Sequence, residues 1–120
     1  MPDRNTPRRS GEFLVLTPAA DTTIYAGIIG AINSNGKLVP ASDSTGLKVV
    51  GRTEEYSEGE DVKVRKGVFA YDNDGSIDKS MIGDSCQVVD AITVGTTTTN
   101  NIEAGTIFDV EGNQVWVKIN

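Results

Sequence analysis

Histidine is absent from this chain, and cysteine and tryptophan each occur once. Without histidine, the Ser–His and Cys–His pairings that activate hydrolytic nucleophiles are excluded. No G-x-S-x-G elbow stands in for them. A single cysteine, Cys86, excludes an intrachain disulfide. Its setting, SCQVVD, is apolar and strand-like, so it reads as a small buried hydrophobe. A reactive thiol would need a neighbouring base.

Aromatic residues are also scarce, at 6% against 38% for hydrophobic residues as a whole. That predicts a lean, aliphatic core, of the kind often supplemented by burial against neighbouring subunits. No stretch approaches the ~18 consecutive apolar residues of a membrane-spanning helix. The first residues carry charge but no apolar run before Gly11, which does not fit a signal peptide. The expected workplace is therefore the cytosol or an assembly formed there. Positive charge is scarce outside the first ten residues. Those ten hold three arginines against one aspartate, a balance of +2, and the total of −6 leaves −8 for residues 11–120. An acidic body disfavours nucleic acid and anionic lipid as primary partners.

What is present points to one β-rich domain. At 120 residues the chain is long enough for a single modest core. Residues 1–10 read as an extended basic N-terminal arm, in which Pro2 and Pro7 oppose a helix. Residues 11–120 read as the folded domain, interrupted by the polar stretch TTTTNN (96–101), expected as a loop or hairpin tip. Short runs of Val, Ile and Thr recur between Gly, Asn, Asp and Ser. In QVWVKI, Val115, Val117 and Ile119 alternate with Gln114, Trp116 and Lys118, the pattern of a half-buried strand. In DVKVRKGVFAY, Val62 and Val64 alternate with Lys63 and Arg65 until Gly67 marks a bulge or tight bend. Asn35-Gly36 and Glu111-Gly112-Asn113 suit hairpin turns. One short helix is expected near 78–82. The fold class is all-β, a small β-barrel or sandwich.

Few groups offer chemistry. DNDGSID (72–78) has the letters of a calcium loop. Aligning Gly75 with the EF-hand glycine, however, puts Ala70 and Met81 at ligand positions that need oxygen, so a polar turn explains it better. The acidic run EEYSEGED (Glu54, Glu55, Glu58, Glu60, Asp61) lies in a glycine-containing loop without apolar surroundings to raise a pKa. It is expected as a solvated loop, with a contact surface for basic groups on a partner as the alternative. AGIIGAI lacks the Lys-Ser/Thr ending of a phosphate loop and reads as strand and turn. Neither a catalytic centre, nor a metal site, nor a cofactor is expected. Trp116 either covers one end of a barrel or sits at an interface. The arm is either a solubility tail or an extended segment whose Arg4, Arg8 and Arg9 pair with carboxylates on another protein. In the second case Phe13 and Leu14 supply apolar anchors just beyond it.

Taken in order, RNTPRRSGEFLVL, IYAG, GLKVVGRTEEY, VKVRKGVF and the closing VWVKI resemble the capsid-cement, or head-decoration, proteins of tailed phages. The resemblance runs over nearly the whole length. It implies a small β-barrel that binds the outside of an assembled capsid in the virion and fastens adjacent major capsid protein subunits. It further implies a homotrimer, made in the host cytoplasm, whose N-terminal segment reaches the shell. Carried over by position, Arg4, Arg8 and Arg9 would contact the shell, and Phe13 and Leu14 would begin the first ordered segment. Two other readings fit the same letters. One is another virion part, a tail-tube or head–tail connector subunit. The other is a surface-displayed carbohydrate- or peptide-binding module using Trp116, Tyr25, Tyr56 or Tyr71.

Overall fold

Alternating β-branched residues, punctuated by glycine and Asx turns, produce ten strands among the described residues. The structure, a computed structural model, describes residues 13–120. The strands are β1 (Phe13–Leu16), β2 (Ile29–Ile32), β3 (Leu38–Pro40), β4 (Lys48–Thr53), β5 (Val62–Arg65), β6 (Gly67–Asn73), β7 (Ser85–Val88), β8 (Thr93–Gly95), β9 (Glu103–Glu111) and β10 (Gln114–Ile119). A single 3-10 turn covers Lys79–Met81, with the Asp78 carboxylate accepting from the Ser80 N–H at its start. This is the short helix expected near 78–82, reduced to one turn.

The strands divide into two sheets at one point in the chain. β1 to β5 form an open antiparallel sheet in the order β1-β5-β4-β2-β3, and β6 to β10 close into a barrel in the order β10-β6-β8-β7-β9. Lys66 alone separates the sheets. Gly67, with φ 151°, provides the change of direction that the break in DVKVRKGVFAY suggested. Within the barrel, β6 runs parallel to β8, and the other pairs are antiparallel. Both expected hairpins form. β2 turns into β3 through Asn33–Gly36, where the Asn33 side-chain oxygen accepts from the N–H groups of Asn35 and Lys37 at 2.9 and 3.1 Å. β9 turns into β10 through Gly112 and Asn113, with Glu111 opposite Gln114. The TTTTNN stretch is a loop, strapped down by Asp43. The Asp43 carboxylate accepts from the N–H groups of Thr99 and Asn100 at 3.0 and 2.8 Å.

Packing follows the period-two pattern. Val115, Val117 and Ile119 of β10 point inward, where they meet Ile107 and Val110 of β9, Val94 of β8, Cys86 and Val88 of β7, and Tyr71 of β6. Ile29 and Ala31 of β2 belong to the same cluster, so one core runs across both sheets. A second, smaller cluster of Ile24, Leu38, Val62 and Val64 lies against the open sheet. Register shifts between β10 and β9 and between β7 and β9 add the local twist that a closed five-stranded barrel requires, and a third lies between β2 and β4 in the open sheet.

Candidate interaction surface

The open sheet has two unlike ends, and β5 defines both. Its even positions, Val62 and Val64, are buried, so Lys63 and Arg65 share the outer face. Among the described residues β1 lies at the sheet edge and pairs only with β5, Phe13 opposite Arg65 and Leu16 opposite Val62. At the first end, the Phe13 ring lies beneath two cations. Lys63 Nζ is 4.7 Å from the ring centroid and the Arg65 guanidinium 5.7 Å, within the range of cation–π attraction. Arg65 also faces Arg52 of β4. Glu54 resolves that like-charge pairing by accepting from Arg52 Nη2 at 2.7 Å and from Arg65 Nε. Burial pushes the Glu54 carboxyl upward, but the hydrogen bonds and charges of Arg65 and Arg52 outweigh it and hold the group below the usual carboxylate range.

At the other end lies the acidic run. Glu54 is not part of a solvated loop, as the sequence suggested. It is half-buried and ion-paired. The rest of the run is organised by its own side chains. Glu55 accepts from the Lys63 N–H at 2.9 Å, Glu60 from the Glu58 N–H at 2.9 Å, and Asp61 from the Thr17 hydroxyl at 2.8 Å. Ser57 is buried beneath this loop and pairs with Ile24 through two backbone hydrogen bonds of 2.8 Å. That bridge brings Tyr25 and Tyr56 side by side, ring centroids 5.6 Å apart and planes tilted by 52°. Both are exposed, at 61% and 55%. The Tyr56 hydroxyl donates to Glu58, which together with burial and nearby Glu60 moves its ionisation upward.

Of the arm residues singled out from the sequence, Phe13 and Leu14 are half-buried in β1. Arg4, Arg8 and Arg9 lie outside the described residues. DNDGSID forms a polar turn, in which Asn73 and Asp74 accept from the N–H groups of Gly75 and Ser76 at 2.8 and 2.9 Å. No three His, Cys, Asp or Glu side chains gather as metal ligands among the described residues. Cys86 is buried, and burial pushes its thiol up to about 12. Tyr71, a candidate surface aromatic from the sequence, is instead a core residue. It is 4% exposed and packs in the main core. Trp116 is half-buried on the outer side of β10, opposite Ala70 and Asp109. The Tyr25–Tyr56 pair is not legible in the sequence, because the two tyrosines are far apart in the chain and are united by the Ile24–Ser57 bridge and by the Thr53 hydroxyl, which donates to the Tyr25 carbonyl at 2.6 Å.

Compared with family models, curated proteins and solved structures, the chain finds no match in any of the three.

Proposed function

We propose that this protein is a structural fastener of the capsid-cement type. It would bind the outer surface of a phage capsid and join adjacent major capsid protein subunits, with Arg4, Arg8, Arg9, Phe13 and Leu14 as the gripping segment. The observation that carries the reading is the placement of β1. Among the described residues it is an edge strand with one side unpaired, it follows the basic leader directly in sequence, and its first residue sits beneath Lys63 and Arg65. A sheet edge open among the described residues can accept a strand from a partner, and the arginines of the leader would add salt-sensitive contacts to carboxylates. Each exposed ion pair contributes only ~0.2–1 kcal/mol. Such a fastener therefore relies on several copies or several contacts acting together.

The test is occupancy on phage heads assembled without the protein. Removing residues 1–10 is expected to leave a folded domain that no longer decorates heads, and heads without the protein are expected to rupture at lower temperature. Unchanged occupancy of the truncated protein, or equal rupture temperatures, would count against the proposal. Counting copies per particle separates it from a connector or tail-tube role, since decoration needs hundreds and a connector about a dozen by the same resemblance. The exposed Tyr25–Tyr56 pair favours a second reading, a peptide- or carbohydrate-binding module, which retention on a glycan array would support.

A further inference from the structure

Tyr25 and Tyr56 expose two large rings on a surface that no other described residue covers. Around them stand Glu58, Glu60 and, one loop residue further, Asp61. An aromatic face with a carboxylate rim is complementary to a guanidinium, which stacks on the ring while its N–H groups reach the acids. A sugar ring fits less well, because planes tilted by 52° do not form one flat platform.

We propose that this surface is the docking site for the basic leader, residues 1–12, of a second copy of the same chain. The leader carries Arg4, Arg8 and Arg9, three of the eleven cationic side chains, which outweigh Asp3 and Glu12 to leave a net charge of +1. The total of −6 leaves −7 for the body it meets, residues 13–120. Topology sets the choice between the chain's own surface and a neighbour's. The leader joins β1 at Phe13, opposite Arg65, whereas the acidic aromatic loop adjoins the other end of β1, where Leu16 faces Val62 and Thr17 bonds Asp61. At about 3.4 Å per strand residue the two ends are roughly 10 Å apart, and β1 runs from one to the other. A leader docking on its own molecule would have to reverse and retrace that length past the Lys63 ammonium, whose charge opposes it. A leader of twelve residues reaches about 40 Å when extended, ample to span to a neighbour. The resulting contact is head-to-tail, cationic end to acidic end, so it propagates into a ring or a chain rather than stopping at a two-fold pair.

The inference does not rest on the capsid reading. A leader held by a sister copy in solution would be exchanged for the shell on decoration, and either use exists without the other. The experiment is the average mass of the full-length protein by sedimentation equilibrium across concentration, at low and high salt. The mass is expected to rise above the 12.8 kDa of one chain at low salt and fall back at high salt. Two full-length variants then decide the geometry. R4E/R8E/R9E keeps the aromatic surface and spoils the leader, while Y25S/Y56S keeps the leader and spoils the surface. Each alone is expected to stay monomeric. Mixed together they are expected to give a species of twice the chain mass, because one intact leader meets one intact surface. A wild type that is monomeric throughout, either variant remaining associated alone, or a mixture that stays monomeric would each overturn the proposal. None of these results involves capsids, so a failure here is distinguishable from a failure of the fastener role.

Discussion

Gly51 shows how much one residue of the open sheet depends on a strand far away in sequence. It lies at the register shift between β4 and β2, with φ 154°, and a Cβ added there would come within 2.5 Å of the Arg65 carbonyl oxygen on β5. Backbone is on the far side of that contact, so no rotamer change relieves it. Gly51→Ala is therefore expected to lower stability by about 1–3 kcal/mol, the range for overpacking a close-packed site. A shift in the midpoint of denaturant unfolding measures it, and an unshifted midpoint would show that β4 and β5 do not approach this closely. In the sequence Gly51 is one letter of GLKVVGRTEEY. A glycine inside a strand announces a close approach, but not which backbone makes it. Cys86 is the opposite case. Its apolar neighbours in SCQVVD are local, and its burial is readable from them.

At the scale of elements, the β4–β5 pairing places Arg52 opposite Arg65, and the pair is tolerable because Glu54 sits between them. Like charges directly opposite on neighbouring strands are destabilising. Glu54→Gln leaves the guanidiniums uncompensated in a half-buried setting, between the exposed and buried limits for ion pairs. The expected cost at neutral pH is about 1–2 kcal/mol. The sign of its pH dependence follows from the depressed ionisation of Glu54 in the folded chain. The stabilisation is fully present above the unfolded carboxyl's value of about 4.3 and disappears as pH falls through the lower folded value. The gap between wild type and Glu54→Gln should thus close on acidification through that window. Melting curves collected from neutral pH downward check it, and a gap independent of pH would remove Glu54 from the account. The acidic run EEYSEGED hides this role, because its first glutamate follows directly on β4 while the others line a loop. Only the β4–β5 register, which brings Arg52 opposite Arg65 two residues before Glu54, distinguishes them. Turns were legible for the converse reason. Asn35-Gly36 and Gly112-Asn113 close between residues adjacent in the chain, so local chemistry specifies them.

For the whole molecule, the all-β class and most strand positions follow from period-two patterning. The division into an open sheet and a barrel does not. Barrel closure depends on β6 meeting β10 and lying parallel to β8, pairings that join distant segments and leave no local signature. The two sheets are nevertheless one unit physically. Ile29 of β2 is fully buried with the barrel residues Val115 and Val117. Its N–H donates to the Ala91 carbonyl in the turn between β7 and β8 at 2.8 Å, and its own carbonyl accepts from Ala41 at 2.9 Å. Truncating this side chain removes packing from both sheets at once. Ile29→Ala is expected to cost about 2–5 kcal/mol, the range for aliphatic truncation in a close-packed core. The form of the transition tests more than its midpoint. Trp116 fluorescence reports on the barrel, and amide exchange along β2 and β4 reports on the open sheet. If a common core couples them, both signals move to lower denaturant together and remain a single transition, as two-state unfolding requires. If the open sheet unfolds first while Trp116 is unchanged, the sheets are separately stable, and the edge strand β1 with its basic leader is carried by a unit that can come loose from the barrel.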